Sequence, residues 1–329
     1  MNKLFKQIAG VAFAATLGFG FAQQAKAVEV QEVISDGGIR AWLIEDHMNP
    51  LMTMDIAFTG AGASTDPEGK LGLANMVSGL IDEGAGEMDS QTFRSEMENR
   101  SISLSFDAGR DDFSGSLTTL TRERETAIDL LRLALSEPRF DDEAVERIRA
   151  QIVSGLKQAE NNPRDIASRT FFASIFGDHP YGRPPSGTLE TVAGLNANDF
   201  RSFVRRAFAK DNLIVGVAGD ITAEELGPLL DEAFGALPEK SDLPKVADVE
   251  PTFGAIEVVE QDIPQSQAIW GQKGIARKHP DFYAAYVMNY ILGGGGFSSR
   301  LTEEVREKRG LAYGVYSYLA NLDHADLMM

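Results

Sequence analysis

The stretch Leu292-Gly293-Gly294-Gly295-Gly296-Phe297-Ser298-Ser299-Arg300-Leu301, continued by Glu304-Val305-Arg306-Glu307-Lys308-Arg309-Gly310-Leu311-Ala312-Tyr313-Gly314-Val315, decides how this chain is read. Its glycine run follows a helical pattern at 281–292 and leads into a second at 299–308, after which an apolar run at 311–319 predicts a strand. A phosphate-cradling loop would follow a strand and end in Gly-Lys-Ser/Thr, and this run does neither, so nucleotide binding is not expected. Flexibility, or close approach of an extended backbone, is the use that remains for the glycines.

Working upstream, strands are predicted at 256–259 and 265–272, so the C-terminal part runs strand, strand, helix, helix, strand. The same order appears about 210 residues earlier, with Ile81 matching Leu292 and Ile102 matching Tyr313, the signature of a domain duplication. In the first copy, 28–33 and 40–45 predict a hairpin around Gly37-Gly38, and 53–58 predicts a strand before the Gly60-Ala61-Gly62-Ala63 loop. A helix starts at Leu71, and a second at 91–99 is expected to be capped by Ser90. Strands follow at 101–106 and 112–119, then helices at 123–136, 141–160 and 164–176, the last two separated by Asn161-Asn162-Pro163. A loop rich in proline and glycine at 179–187, a helix at 198–208, a strand at 212–218 and a helix at 222–234 complete it.

The expected organisation is a leader at 1–27, a first domain at 28–237, a linker at 238–253 and a second domain at 254–329. The linker carries Pro238, Pro244 and Pro251. The second copy stops where the first has reached about Thr119, and the final residues suggest no closing helix or strand. A fragment with a truncated second domain is therefore expected.

At the N-terminus, Lys3 and Lys6 precede an apolar run at 8–21, and Ala25-Lys26-Ala27 offers the small-x-small pattern of a cleaved signal. The run is shorter than the roughly 20 apolar residues that span a bilayer. Export to a bacterial periplasm is the expectation.

With 31 Lys plus Arg against 49 Asp plus Glu, the 329-residue chain carries a formal charge of −18. Loss of the leader would remove three lysines and no acid. Nucleic acid is therefore not an expected partner, whereas cationic peptides would be favoured by steering. The 43% apolar content supports substantial cores, and the absence of cysteine excludes disulfides, thiol nucleophiles and cysteine-held zinc. The four histidines, His47, His179, His279 and His324, have no spacing that suggests a shared metal. The pairs Asp82-Glu83, Asp111-Asp112 and Asp141-Asp142 sit at element edges or a helix N-terminus, where a charge needs no catalytic reason.

The opening stretch closely resembles the C-terminal substrate-binding segment of the pitrilysin (insulinase) family of zinc peptidases, in its short periplasmic and processing-peptidase branch. Gly72-Leu73-Ala74, Asn161-Asn162-Pro163, His179-Pro180-Tyr181-Gly182-Arg183-Pro184 and the Gly219-Asp220 end of a strand extend the resemblance over about 28–318. It implies an α+β fold of duplicated domains, each an antiparallel or mixed sheet packed on helices.

Catalytic members carry His-x-x-Glu-His on the helix that here starts at Leu71, with a further glutamate downstream. Two imidazoles four residues apart hold zinc on one helix face, and the glutamate activates a bound water. Aligned on Gly72-Leu73-Ala74, the motif positions hold Asn75, Ser78 and Gly79, and the downstream position falls near Gly155. None supplies a zinc ligand or a general base, so no catalytic residue of its own and no metal are expected.

In heterodimeric members, the zinc-free subunit closes the chamber and lends residues to substrate held at its partner's metal. The resemblance places that contribution on Arg306 and Tyr313, with Gly294 and Gly295 admitting the peptide. A guanidinium can hold a peptide carbonyl and a phenol can stabilise an oxyanion. The expectation is a zinc-free subunit working beside a homologous, zinc-bearing peptidase subunit on a peptide substrate. The alternative is a non-enzymatic scaffold or peptide-binding module of the same fold.

Overall fold

The computed structural model describes residues 29–329; the expected leader at 1–27 lies outside the described residues. β1 (Gln31–Ile34) and β2 (Arg40–Glu45) pair as an antiparallel hairpin, Val33 opposite Ala41. In β3 (Leu51–Phe58), Met52, Met54, Ile56 and Phe58 alternate into the core, while Asp55 faces outward. The chain then turns through α1 (Leu73–Ser78) and α2 (Ser90–Arg100) before β4 (Ser103–Ala108) and β5 (Phe113–Leu120). The cap of α2 is Asp89, whose carboxylate accepts from Thr92 N–H, and not Ser90 as the sequence suggested. Ser90 instead turns its hydroxyl to Glu83.

Four longer helices and a short one follow: α3 (Arg124–Ser136), α4 (Asp142–Ala159), α5 (Pro163–Phe176), α6 (Leu189–Gly194) and α7 (Ala197–Ala207). The Asn162 side chain caps α5 from in front of a first-turn proline, which is why the Asn-Asn-Pro sequence separates α4 from α5. β6 (Leu213–Gly219) returns to the sheet, and α8 (Ala223–Phe234) opens on a reciprocal Thr222–Glu225 capping box.

The six strands form one mixed sheet in the order β1-β2-β6-β3-β5-β4, with β2 and β6 parallel and the other pairs antiparallel. One face carries the helices. Phe208 stacks on Phe58 at 4.4 Å and meets Phe113 at 4.9 Å, anchoring α7 to β3 and β5. The other face is open and mostly polar, with Thr53 bonded to Thr118 across the strands.

Beyond residue 237 the structure departs from the predicted repeat. The stretches 256–259 and 265–272 are not strands, apart from Gln272 at the start of the two-residue β7 (Gln272–Lys273). Ile256 and Val258 are 90% and 78% exposed, and no strand among the described residues stands beside them to supply a ladder. The helix predicted at 281–292 is α-helical only over α9 (Phe282–Asn289) and then widens to π geometry across Tyr290–Gly294. That at 299–308 takes π form over Thr302–Glu307. The predicted strand at 311–319 is unpaired as far as Ser317; Tyr318 exchanges backbone hydrogen bonds with Met329 and leads into β8 (Leu319–Leu322), which forms a hairpin with β9 (Ala325–Met328) that β7 extends. The sequence suggested no closing strand there; the chain closes on one. Ala325 and Leu327 of this hairpin pack on Ile175, Phe176 and Tyr181. Among the described residues no helix is long and apolar enough to cross a membrane.

Candidate functional site

The helix that would carry a zinc motif is α1, and it is short. Gly72 starts it in the left-handed region at φ 87°, where a Cβ would stand 2.7 Å from the Ser186 carbonyl oxygen, so both backbone and packing require glycine. The Asp66 carboxylate accepts from Gly72 N–H at 2.8 Å and from Ala74 N–H at 3.1 Å, fixing the first turn. Burial pushes this carboxyl up to about 7, opposed by those backbone hydrogen bonds.

At the motif positions, Asn75 is half-buried and Ser78 donates its hydroxyl back to the Asn75 carbonyl at 2.9 Å, closing on its own helix. Gly79 ends the helix, and a Cβ there would already lie 3.2 Å from the Ile148 side chain of α4. A side chain at that position would need the Ile148 side chain to give by a few tenths of an ångström. Gly155 is exposed on α4, about two turns past Ile148, with open space where a side chain would stand. These residues do not fit zinc. Among the described residues no group of three His, Asp or Glu side chains stands where it could hold a metal.

The structure does bring Arg306 and Tyr313 together. The chain reverses at Gly310, whose φ is 61°, and the Arg306 guanidinium lies 4.9 Å from the Tyr313 ring and 5.1 Å from that of Phe297. Tyr313 is 87% exposed, so its hydroxyl faces solvent, and Arg306 also pairs with Glu307 at 3.3 Å. The glycines beside them have packing reasons. Gly293 is buried, and a Cβ there would meet Ser317 Oγ at 2.4 Å and Ser317 N at 2.6 Å. Asn289 and Ser317 exchange hydrogen bonds, Asn289 Nδ2 donating to the Ser317 carbonyl and Ser317 Oγ to Asn289 Oδ1. Gly294 is exposed beside Asn289, and Gly295 donates to the Tyr290 carbonyl, the wide turn that the missing side chains permit.

A junction built on Tyr181 went unread in the sequence. This ring is fully buried; its hydroxyl donates to Asp111 at 2.5 Å and accepts from His324 N–H at 3.0 Å. Burial and the Asp111 carboxylate both push its phenol up. Asp111 also accepts from Asp323 N–H at 3.1 Å, so the β8–β9 turn is fastened to the strand-edge loop before β5 and to the 179–187 loop. Arg110 donates to the Tyr181 carbonyl and lies over the Phe172 ring.

His179 and His324 both pack against Tyr181, a meeting their sequence separation hid, yet each ring is engaged elsewhere, with the Ala247 carbonyl and with Asp248. His47 bonds to Asp220, which raises its ring, and His279 accepts from Asp281 N–H. Of the acidic pairs, Glu83 is held by Arg94 and Arg147, and Asp141 by Arg139, in keeping with structural roles.

Residues 44–189 match the family profile described as insulinase (peptidase family M16), and residues 194–328 match the one described as the peptidase M16 inactive domain. The chain belongs to the M16 peptidase family. An M16 relative from Helicobacter pylori, named a non-peptidase homolog, YmxG, is 29% identical over 306 residues, covering 91% of this chain and 69% of the relative. A Mycobacterium leprae relative, named an uncharacterized zinc protease, is 26% identical and covers 90% of this chain and 67% of its own length. Among solved structures, a peptidase M16 inactive domain from Pseudomonas fluorescens superposes with a TM-score of 0.82 at 27% identity, over 92% of this chain and 73% of that one. A non-catalytic, zinc-motif-lacking member of the M16 family is thus the class into which the sequence, fold and motif positions fall together.

Proposed function

We propose that this chain is the zinc-free subunit of a two-subunit M16 peptidase, exported to the periplasm, where it closes the chamber and positions peptide for a zinc-bearing partner. The observation behind this reading is α1: the fold is kept while Asn75, Ser78 and Gly79 replace both histidine ligands and the base, and Gly155 stands near the place of the downstream ligand. The stacked, solvent-facing Arg306–Tyr313 pair supplies the contribution to substrate, the guanidinium to a peptide carbonyl and the phenol to a developing oxyanion. In this reading Gly294 and Gly295 admit extended backbone of the substrate. In this reading residues 28–237 and 254–329 are the two peptidase-like domains, joined by the linker at 238–253.

The test is purification of the chain alone and with a zinc-bearing M16 subunit from the same organism. Alone, it is expected to hold no stoichiometric zinc and to cleave no peptide; tight zinc binding would overturn the proposal. With the partner, Arg306→Ala and Tyr313→Phe should lower kcat by about tenfold or more while partner affinity stays within about twofold. Unchanged turnover in both variants would remove the pair from the site. A complex that forms without any gain in cleavage would favour the scaffold reading, which fits the name of the Helicobacter relative.

A further inference from the structure

A second concave site lies away from the residues discussed above. The 64–68 turn, the 179–183 loop, the last turn of α7 and the extended segment 242–247 enclose a cleft of about 670 Å³. That volume falls within the range of small-molecule sites. Pro67, Leu243, Pro244 and Val246 make much of its lining apolar.

Into this lining the chain sets Arg183, Arg206 and Lys245, none of which forms an ion pair among the described residues. In a chain of net charge −18, three unpaired cations around one cleft depart from the general surface. The Arg206 Nε–H is buried and has no hydrogen-bond acceptor in the protein. A buried guanidinium donor left unbonded carries the full cost of its desolvation, which an acceptor reaching it would relieve.

The acidic residues of the cleft do not cancel this preference. Asp66 turns its two oxygens to the N–H groups of Gly72 and Ala74, away from any ligand. Glu68 and Asp242 are exposed, whereas Arg183 and Arg206 are partly buried. His179 adds no free cation, because its Nε2 meets the Ala247 carbonyl at 2.9 Å.

We propose that this cleft binds a carboxylate carried on an apolar body, the chemistry of a peptide C-terminus. Arg206 and Arg183 supply its guanidinium groups, and the proline and aliphatic wall its apolar seat. Planar guanidinium groups match carboxylate geometry, which a lone ammonium does not. The site is independent of the Arg306–Tyr313 reading, so failure of either leaves the other standing.

The test is calorimetric titration of the full chain with N-acetyl-Leu-Leu as free acid, with its C-terminal amide, and with hexanoate. The free acid should bind at one site, and the amide about tenfold or more weaker. Arg183→Gln should weaken the free acid by about tenfold with the thermal midpoint unchanged, and Arg206→Gln should weaken it as much. Arg183 sits on a loop, so its variant keeps the test decisive if Arg206→Gln fails to fold. Hexanoate binding as tightly as the dipeptide would support the carboxylate site and assign it to small organic acids. Acid and amide binding alike, or no binding by either up to about 10 mM, would overturn the proposal.

Discussion

α1 and α9 occupy matching places in the repeat that the sequence suggests, about 210 residues apart, and their fates differ. Five of the six residues of α1 are buried, under α4, α7 and β4; of the eight in α9, only Phe282 and Asn289 are. α9 is the more apolar of the two in sequence, Phe-Tyr-Ala-Ala-Tyr-Val-Met-Asn, yet Tyr283, Tyr286 and Val287 stand exposed. The chain has seven tyrosines; Tyr181 is buried, and the other six lie between 283 and 318 with exposures from 43% to 87%. An apolar period specifies a helix, but burial depends on which elements surround it, and the first copy has them while the second does not among the described residues.

Truncating the first core should have the largest effect. Phe208→Ala removes the ring stacked on Phe58 and Phe113 and should cost about 3–5 kcal/mol in urea unfolding. A cost below about 1 kcal/mol would break the contrast from the side of the well-packed copy.

The two helix starts offer a sharper comparison. Asp66 is buried against the first turn of α1, whereas Asp281 before α9 makes no side-chain capping bond. Because burial raises the folded Asp66 carboxyl from 3.8 to about 7, the folded state holds this proton more tightly than the unfolded chain. Its contribution is therefore greatest at low pH and is lost as pH rises through about 7, on the order of 2–3 kcal/mol between about pH 5 and about pH 8. In Asp66→Asn that part of the pH dependence should vanish; equal slopes for the two proteins would assign the effect elsewhere.

The smallest change is expected on α9. Tyr286→Ala should move stability by no more than about 0.5 kcal/mol, because the ring is already half in solvent. A loss above about 2 kcal/mol would show α9 to be as firmly packed as α1.

The sequence was most legible where a local rule and a tertiary partner agreed. The alternation of Met52, Met54, Ile56 and Phe58 named β3 because β5 and β6 flank it on both sides. Ile256 and Val258 alternate as well, but no ladder meets them, and propensity alone does not hold a strand. Ser90 was the wrong cap for α2 because Asp89, one residue earlier, offers a stronger acceptor to Thr92 N–H. The β8–β9 hairpin escaped notice because its Asp323-His324 turn has no glycine to announce it.

Of the candidate site, the lost ligands at 75, 78 and 79 could be read from residue type alone. The close contact between Gly79 and Ile148 and the unpartnered Nε–H of Arg206 could not, since both arise from the packing of segments far apart in sequence.

The Tyr181 junction also sets an order in time. Its hydroxyl joins Asp111 to the backbone of His324, partners 70 and 143 residues away along the chain. The terminal hairpin can fasten only after the loops before β5 and after α5 have been brought together by a folded sheet. During synthesis the sheet and its helices emerge before residue 324 does, so this contact forms after the segments it joins, and its closure reports that those segments are already in place.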